Sequence, residues 1–313
     1  GDKSLSKRDF FRIIYPLKKF GANFYPKNKS KLPISILGSR FIRPISYKEN
    51  IGSAQCKSAA MFAALNAPGQ TVINAKKSRN HTELLFKYLK IPITIIRKKK
   101  FDQIKIQGKK NFKSFNYNIP GDISSSAFFT VLTLLKKNSQ LTIKNVNINP
   151  SRIGYIKILN KMGASIVLIN KKKYRGELIG DILVKSKKVL KGINCPTSLN
   201  TSAIDEFLII FLVAARAKGI SFFKNISELN QKESPRLKIA SKILNKIGIK
   251  TKLDSSSIKI YGNPNLKISK KIIIKNFMKD HRVFMMSVIA ALSFGGVWKI
   301  YDKDSIKTSF PNF

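Results

Sequence analysis

Acidic residues are scarce in this sequence: 16 Asp and Glu stand against 60 Lys and Arg in 313 residues, a formal charge of +44. Cysteine is scarcer still. The two present, at positions 56 and 195, exclude a disulfide scaffold and a zinc site of four thiolates. Two His, at 81 and 281, make a His-rich metal centre equally untenable. Long uncharged runs are missing as well. Phe207–Ala215 spans nine residues, too few to cross a bilayer. Val283–Trp298 is interrupted by Ser287, Ser293 and Gly295–Gly296, which divide it into a helix, a turn and a strand start. No signal peptide is expected from the opening residues.

Apolar material, by contrast, is plentiful. A hydrophobic content of 43% with 10% aromatics rules out a disordered polycation. The length suits a large core and two domains rather than one. The charge has three candidate causes: nucleic acid, an anionic small substrate, or compositional drift. Lys outnumbers Arg by 49 to 11, although Arg is the better residue for a bidentate grip on phosphate. The basic residues are scattered, with short runs only at Arg97–Lys100 and Lys171–Lys173. Lys, Ile and Asn, whose codons are rich in A and T, are all abundant. Drift with a contribution from anionic ligands is therefore expected, and a nucleic-acid partner is not.

Internal similarity organises the chain. Four small polar clusters each run into an apolar stretch of helical length: Gly52-Ser53-Ala54-Gln55 into Ser58–Ala67, Gly121–Ser125 into Ala127–Leu135, Thr201–Asp205 into Glu206–Ala217, and Asp280-His281-Arg282 into Val283–Phe294. With Ser53, Ser124, Ser202 and Asp280 as landmarks, the spacings are 71, 78 and 78. A β-rich stretch follows each: Thr71–Ile73, Leu141–Ile143, Ile220–Phe223 and Val297–Ile300. Amphipathic helices are expected next at Arg79–Lys90, Arg152–Met162 and Pro235–Ile247, the latter two stopped by Gly163 and Gly248. The unit is helix, strand, helix, strand, which implies α/β layers. Ser6–Gly21 reads as the second helix of a unit whose first half is absent, and Thr308–Phe313 as the start of a helix that does not continue. A fragment of a longer protein is expected, incomplete at both ends.

The motifs at these positions resemble one family, the enolpyruvyl transferases, in the branch acting on shikimate 3-phosphate. The matching segments, in the family's order, begin with Gly1–Arg8, Gly52–Ser58, Ser78-Arg79-Asn80-His81-Thr82-Glu83 and Pro120–Ser125. They continue with Ala203-Ile204-Asp205-Glu206, Lys232-Glu233-Ser234-Pro235-Arg236, Asp280-His281-Arg282 and Lys307–Pro311. The resemblance covers nearly the whole chain. It implies an α/β (α+β) fold of two domains, each built of repeated β-α units, around a cleft. Residues 1–119 would be most of one domain and 120–313 most of the other.

The family's reaction joins the 5-hydroxyl of shikimate 3-phosphate to C2 of phosphoenolpyruvate and expels phosphate. By motif match, Arg8, Arg236, Arg282 and Lys307 would hold phosphoenolpyruvate and the departing phosphate. Taken singly, in so basic a chain, each reads as a solvated surface charge. Ser53, the backbone of Ala54, and Gln55 would bind shikimate 3-phosphate, with Ser78 and Arg79 facing the same ligand. On local pattern alone Ser53 is an N-cap on an ordinary helix, and His81 a partly buried imidazole. Asp205 would accept the 5-hydroxyl proton and also touch that substrate; its bland reading is a helix-start carboxylate. Glu233 would transfer the proton at the methylene carbon, with Lys232 binding the acceptor near its reacting hydroxyl. In isolation Lys232–Glu233 is a helix-start charge pair. Glu206 stays in reserve, and His281 orients its neighbours.

Pro235 stands where the family commonly has Asp. Neither Cys has the Gly-rich context of the reactive thiol in the relative acting on UDP-N-acetylglucosamine, which favours the shikimate branch. No metal or organic cofactor is implied. The resemblance further implies a cytoplasmic monomer that meets neither nucleic acid nor membrane. The alternatives are another enolpyruvyl acceptor, such as UDP-N-acetylglucosamine, and a basic nucleic-acid-binding protein. The family's N-terminal Lys-Ser-x-x-x-Arg segment and its Asn-x-Gly-Thr loop are absent, so this piece alone is expected to turn over little.

Overall fold

The computed structural model describes residues 6, 8–186 and 189–313. The described chain divides into two compact units. One runs up to Asn118 and includes Lys173–Glu177; the other comprises Ile119–Lys172 and Leu178–Phe313.

The first unit opens with α1 (Phe11–Lys19), whose start is fixed by Asp9 Oδ1 accepting the Phe11 amide at 2.7 Å. Ser6 is itself helical and Arg8 lies in a bend, so the expected span Ser6–Gly21 is interrupted before Phe11. A short antiparallel pair follows, β1 (Asn23–Tyr25) with β2 (Ser35–Leu37). Next come β3 (Ser46–Glu49), α2 (Ala54–Ala64), β4 (Gln70–Lys76), α3 (His81–Tyr88), β5 (Ile93–Arg97) and β6 (Phe101–Gln107). Their sheet has the order β3-β4-β6-β5, with β3 and β4 parallel and the other pairs antiparallel. Along β4 the residues Thr71, Ile73 and Ala75 are buried in strict alternation, as one covered face of a pleated strand requires. The helix lying on that face buries Ala60, Met61 and Ala64, and the core also takes in Phe86 and Ile104.

The second unit continues with α4 (Ile123–Leu135), β7 (Gln140–Asn147), α5 (Gly154–Lys161), β8 (Ser165–Tyr174) and β9 (Glu177–Lys185). After a single helical turn at Asn200–Ala203 come α6 (Phe207–Arg216), β10 (Gly219–Phe223), α7 (Arg236–Lys246), β11 (Thr251–Leu253) and β12 (Ile258–Gly262). The last elements are β13 (Lys271–Ile274), α8 (His281–Phe294) and β14 (Val297–Ile300). Three small sheets result, ordered β7-β9-β8, β10-β12-β11 and β13-β14. Gly163 and Gly248 follow α5 and α7 with φ of 90° and 88°, a conformation that costs a side chain strain and glycine none. Residues 308–313 form turns rather than a helix, and Phe310 and Phe313 pack edge-on against Phe128 and Phe129.

The three apolar helices α4, α6 and α8 pack on one another and run the same way. At one end Ser124 Oγ meets the Glu206 carboxylate, and Arg282 Nη1 donates to the Asp205 carbonyl at 3.0 Å. At the other, Lys136, Arg216, Phe294 and Gly295 line one cavity of about 320 Å³. Cations thus collect where the negative helix ends converge. The positive ends converge on the residues of interest. Among the described residues, no helix is long and apolar enough to cross a membrane.

Candidate active site

In the second unit the site begins at the loop entering α7. Pro235 precedes the first helical residue, Arg236, where a missing N–H costs nothing. Arg236 is 2% exposed. Its guanidinium donates to both oxygens of Asp280, Nε to Oδ2 at 2.8 Å and Nη2 to Oδ1 at 3.2 Å. Asp280, fully buried, caps α8 by accepting the Arg282 amide at 2.9 Å and takes a further bond from Ser234 Oγ at 2.8 Å. Burial alone would raise the Asp280 carboxyl, but the Arg236 charge and these donors outweigh it and hold it below the usual range.

Around this pair stand two further carboxylates. Glu233 Oε2 lies 3.5 Å from Arg236 Nη2 and 2.8 Å from His281 Nδ1. Burial works against its ionisation, yet the His281 contact keeps its acidity stronger than usual. Asp205 Oδ1 lies 3.6 Å from Lys232 Nζ and 3.9 Å from Arg236 Nη1, so two cations flank it. Lys232 also reaches Glu228 at 3.1 Å. Arg282 joins through the Asp205 carbonyl and, with His281, lines a cavity of about 280 Å³ bordered by Asp122, Ser125 and Ser309. Glu233, Asp280 and His281 are close enough to hold a metal ion, all within 4.8 Å. Asp280, however, already accepts four hydrogen bonds, so the donor set is that of an ion-pair network.

Asp205, Lys232, Glu233, Arg236 and Arg282 are thus brought together from three helix starts. Lys307 is not drawn into this network: its ammonium is 73% exposed and pairs with Asp304 at 2.7 Å. Glu206 is 2% exposed and meets Ser124, whereas Asp205 lies beside Lys232 and Arg236. Arg152 Nη2 donates to Ser124 Oγ at 2.6 Å, which leaves the Ser124 hydroxyl to donate to Glu206. Burial pushes the Glu206 carboxyl up, against the pull of Arg282. Sequence reasoning assigned this acid no partner, because Ser124 and Arg152 are 82 and 54 positions away.

In the first unit, Ser53 caps α2, its Oγ accepting the Cys56 amide at 3.4 Å. Ala54 and Gln55 open the helix, where the first amides have no intrahelical acceptor. The preceding loop is tied by Glu49, which sequence reasoning missed. Its carboxylate, 1% exposed, accepts from the amides of Ile51, Gly52 and Ser53 at 2.9–3.3 Å. Ser78 and Arg79, both half-buried, lie just before α3. That helix starts at His81 rather than Arg79, since Asn80 is its N-cap. His81 Nδ1 contacts Glu177 at 2.5 Å. Arg8 is half-buried in the same unit. Cys56 and Cys195 are both buried and free, and burial pushes both thiols up, Cys195 to about 11. Neither is primed as a nucleophile.

Comparison with known proteins agrees with this chemistry. The family model for EPSP synthase (3-phosphoshikimate 1-carboxyvinyltransferase) matches residues 1–313. A 3-phosphoshikimate 1-carboxyvinyltransferase of Ruthia magnifica is 40% identical over 314 residues, spanning all of this chain and 70% of that protein. Its counterpart in Petrotoga mobilis is also 40% identical, with 71% of its length covered. The EPSP synthase structure from Acinetobacter baumannii superposes with a TM-score of 0.87 at 33% identity, covering 99% of this chain and 70% of that one. A buried Arg–Asp pair ringed by carboxylates, a helix start rich in amide donors, and these matches over the whole chain have one reading: the chain belongs to the EPSP synthase family.

Proposed function

We propose that this protein transfers the enolpyruvyl group of phosphoenolpyruvate to the 5-hydroxyl of shikimate 3-phosphate, as a step towards chorismate and the aromatic amino acids. The observation that carries the site assignment is Arg236. It is buried, anchored bidentately by Asp280 and flanked by two acids of different surroundings, Asp205 and Glu233. Such a guanidinium is pre-organised to receive a carboxylate or a phosphate group. On this reading Arg8, Arg236, Arg282 and Lys307 hold phosphoenolpyruvate and the phosphate that leaves. Lys307 then exchanges its Asp304 contact for the ligand. Ser53, Ala54, Gln55, Ser78, Arg79 and Lys232 hold shikimate 3-phosphate.

The bonds balance as follows. The 5-oxygen attacks C2 of phosphoenolpyruvate while the methylene carbon gains a proton and becomes a methyl group. The hydroxyl proton passes to Asp205, whose carboxylate stands beside Lys232 and Arg236. In the second step the C2–O bond to phosphate breaks and the methyl carbon returns a proton, restoring the double bond. Glu233 is the group at that carbon. Without ligand it is held ionised; an arriving anion competes for Arg236 and raises it, so protonation accompanies binding. His281 orients Glu233 from 2.8 Å.

No metal or organic group is needed for either step. On the same reading the enzyme works as a cytoplasmic monomer on small anions, and its surface lysines carry no nucleic acid. The test is calorimetric titration together with phosphate release. Shikimate 3-phosphate is expected to bind saturably and phosphate release to require it. Binding of UDP-N-acetylglucosamine instead, or of nucleic acid with no response to shikimate 3-phosphate, contradicts the proposal.

A further inference from the structure

Among the described residues, Lys57 is the one buried lysine in a chain that has 49. It sits one turn into α2, two residues beyond Gln55, on a helix otherwise free of charge. Its Nζ donates to the backbone carbonyl of Arg79 at 2.7 Å and pairs with Glu83 Oε1 at 2.6 Å, both side chains being 5% exposed or less. One residue further on, Ser58 Oγ meets Thr82 Oγ1 at 2.6 Å. These contacts all join the start of α2 to the start of α3. Between the same two helix starts, the buried Ser78 Oγ has no hydrogen-bond partner among the described residues.

We infer that Lys57 is a positioning residue for shikimate 3-phosphate: it fixes the Arg79 peptide so that Ser53–Gln55 and Ser78–Arg79 form one ligand surface. The inference rests on the functional reading above, since that reading makes both segments bind one ligand. Stability does not explain the pair. A buried lysine and glutamate lose as much in desolvation as they gain in attraction, and well-packed apolar replacements commonly stabilise. The second Glu83 oxygen is buried without a hydrogen-bond partner among the described residues, a cost the pair does not recover. What the ammonium does and a methionine cannot is hold a carbonyl. The Arg79 carbonyl lies immediately after the two residues assigned to the ligand, so a shift there moves both. Misplacing a binding group by about 1 Å is enough to lose affinity by an order of magnitude or more.

The experiment compares the wild-type chain with the double variant Lys57→Met/Glu83→Leu, using shikimate 3-phosphate itself as the titrant in calorimetry and thermal melting as the control. The double variant is expected to melt at or above the wild-type temperature and to bind shikimate 3-phosphate about tenfold more weakly. Unchanged affinity in a folded double variant overturns the inference. The single variant Glu83→Gln keeps the Lys57–Arg79 bond and is expected to lose less than about threefold; a loss of tenfold there also contradicts a role through the carbonyl. A wild-type chain that does not bind shikimate 3-phosphate refutes the functional reading instead, and the inference falls with it.

Discussion

Arg236 and Ser53 each stand where a loop enters a helix, yet the two units hold them by different means. Arg236 is fixed by charge: Asp280 grips it through two hydrogen bonds, and Glu233 and Asp205 stand within 4 Å. Ser53 is fixed by backbone geometry: its hydroxyl caps α2, and the loop before it is tied by amides that point at Glu49. The second unit therefore offers preformed cations, which suit anionic groups. The first offers helix-start amides, a Gln carboxamide and hydroxyls, which are hydrogen-bonding groups without side-chain charge. Side-chain charge and backbone donors fail differently when disturbed, and that gives the comparison testable content.

The largest effect is expected from Asp280→Leu. It leaves Arg236 buried without its main partner, and a loss of about 3–5 kcal/mol in chemical denaturation is expected. A loss below 1 kcal/mol would mean that the second unit does not depend on charge. Next comes Asp205→Asn, which keeps shape but cannot take a proton. Its kcat is expected to fall about 10²–10⁴-fold with much smaller changes in either KM, measured by steady-state kinetics.

Acid separates the units further. Asp280 and Glu233 are both held below their ordinary values in the folded protein. As pH falls through the range below about 4, the unfolded chain takes up protons that the folded one refuses, and stability is lost. Above that range their contribution is complete. Denaturation followed between pH 7 and 3 should show this fall, and Asp280→Asn should flatten it. The smallest effect is expected in the first unit. Gln55→Ala removes one exposed hydrogen-bonding group, and a rise of about fivefold in KM for shikimate 3-phosphate is expected with KM for phosphoenolpyruvate unmoved.

The same contrast governs what could be read from the residues alone. The repeated helices were legible because each begins with a polar cluster and continues as an apolar run. Asp122 and Asp280 do cap α4 and α8 as those clusters suggest. Boundaries moved by a residue or two where the backbone leaves the helical region: Asp9 Oδ1 accepts the amide of Phe11, the first residue of α1, and Asn80 precedes α3 without a side-chain cap. Partners across long sequence separations were not legible. Nothing near Glu206 announces Ser124 or Arg152, and Glu49 looks like one more solvated acid until its carboxylate is seen among three amides. Lys57 and Glu83 did leave a trace, as opposite charges on two successive helices with few others, yet pattern alone does not say that they meet.

The role proposed for Arg236 is tested most directly by titrating shikimate 3-phosphate, with no phosphoenolpyruvate present, into the Arg236→Lys variant. Lysine keeps the charge but loses the bidentate fork. The account predicts that shikimate 3-phosphate binds the variant as tightly as the wild type, while KM for phosphoenolpyruvate rises at least tenfold. A loss of shikimate 3-phosphate affinity as large as the loss for phosphoenolpyruvate would contradict it.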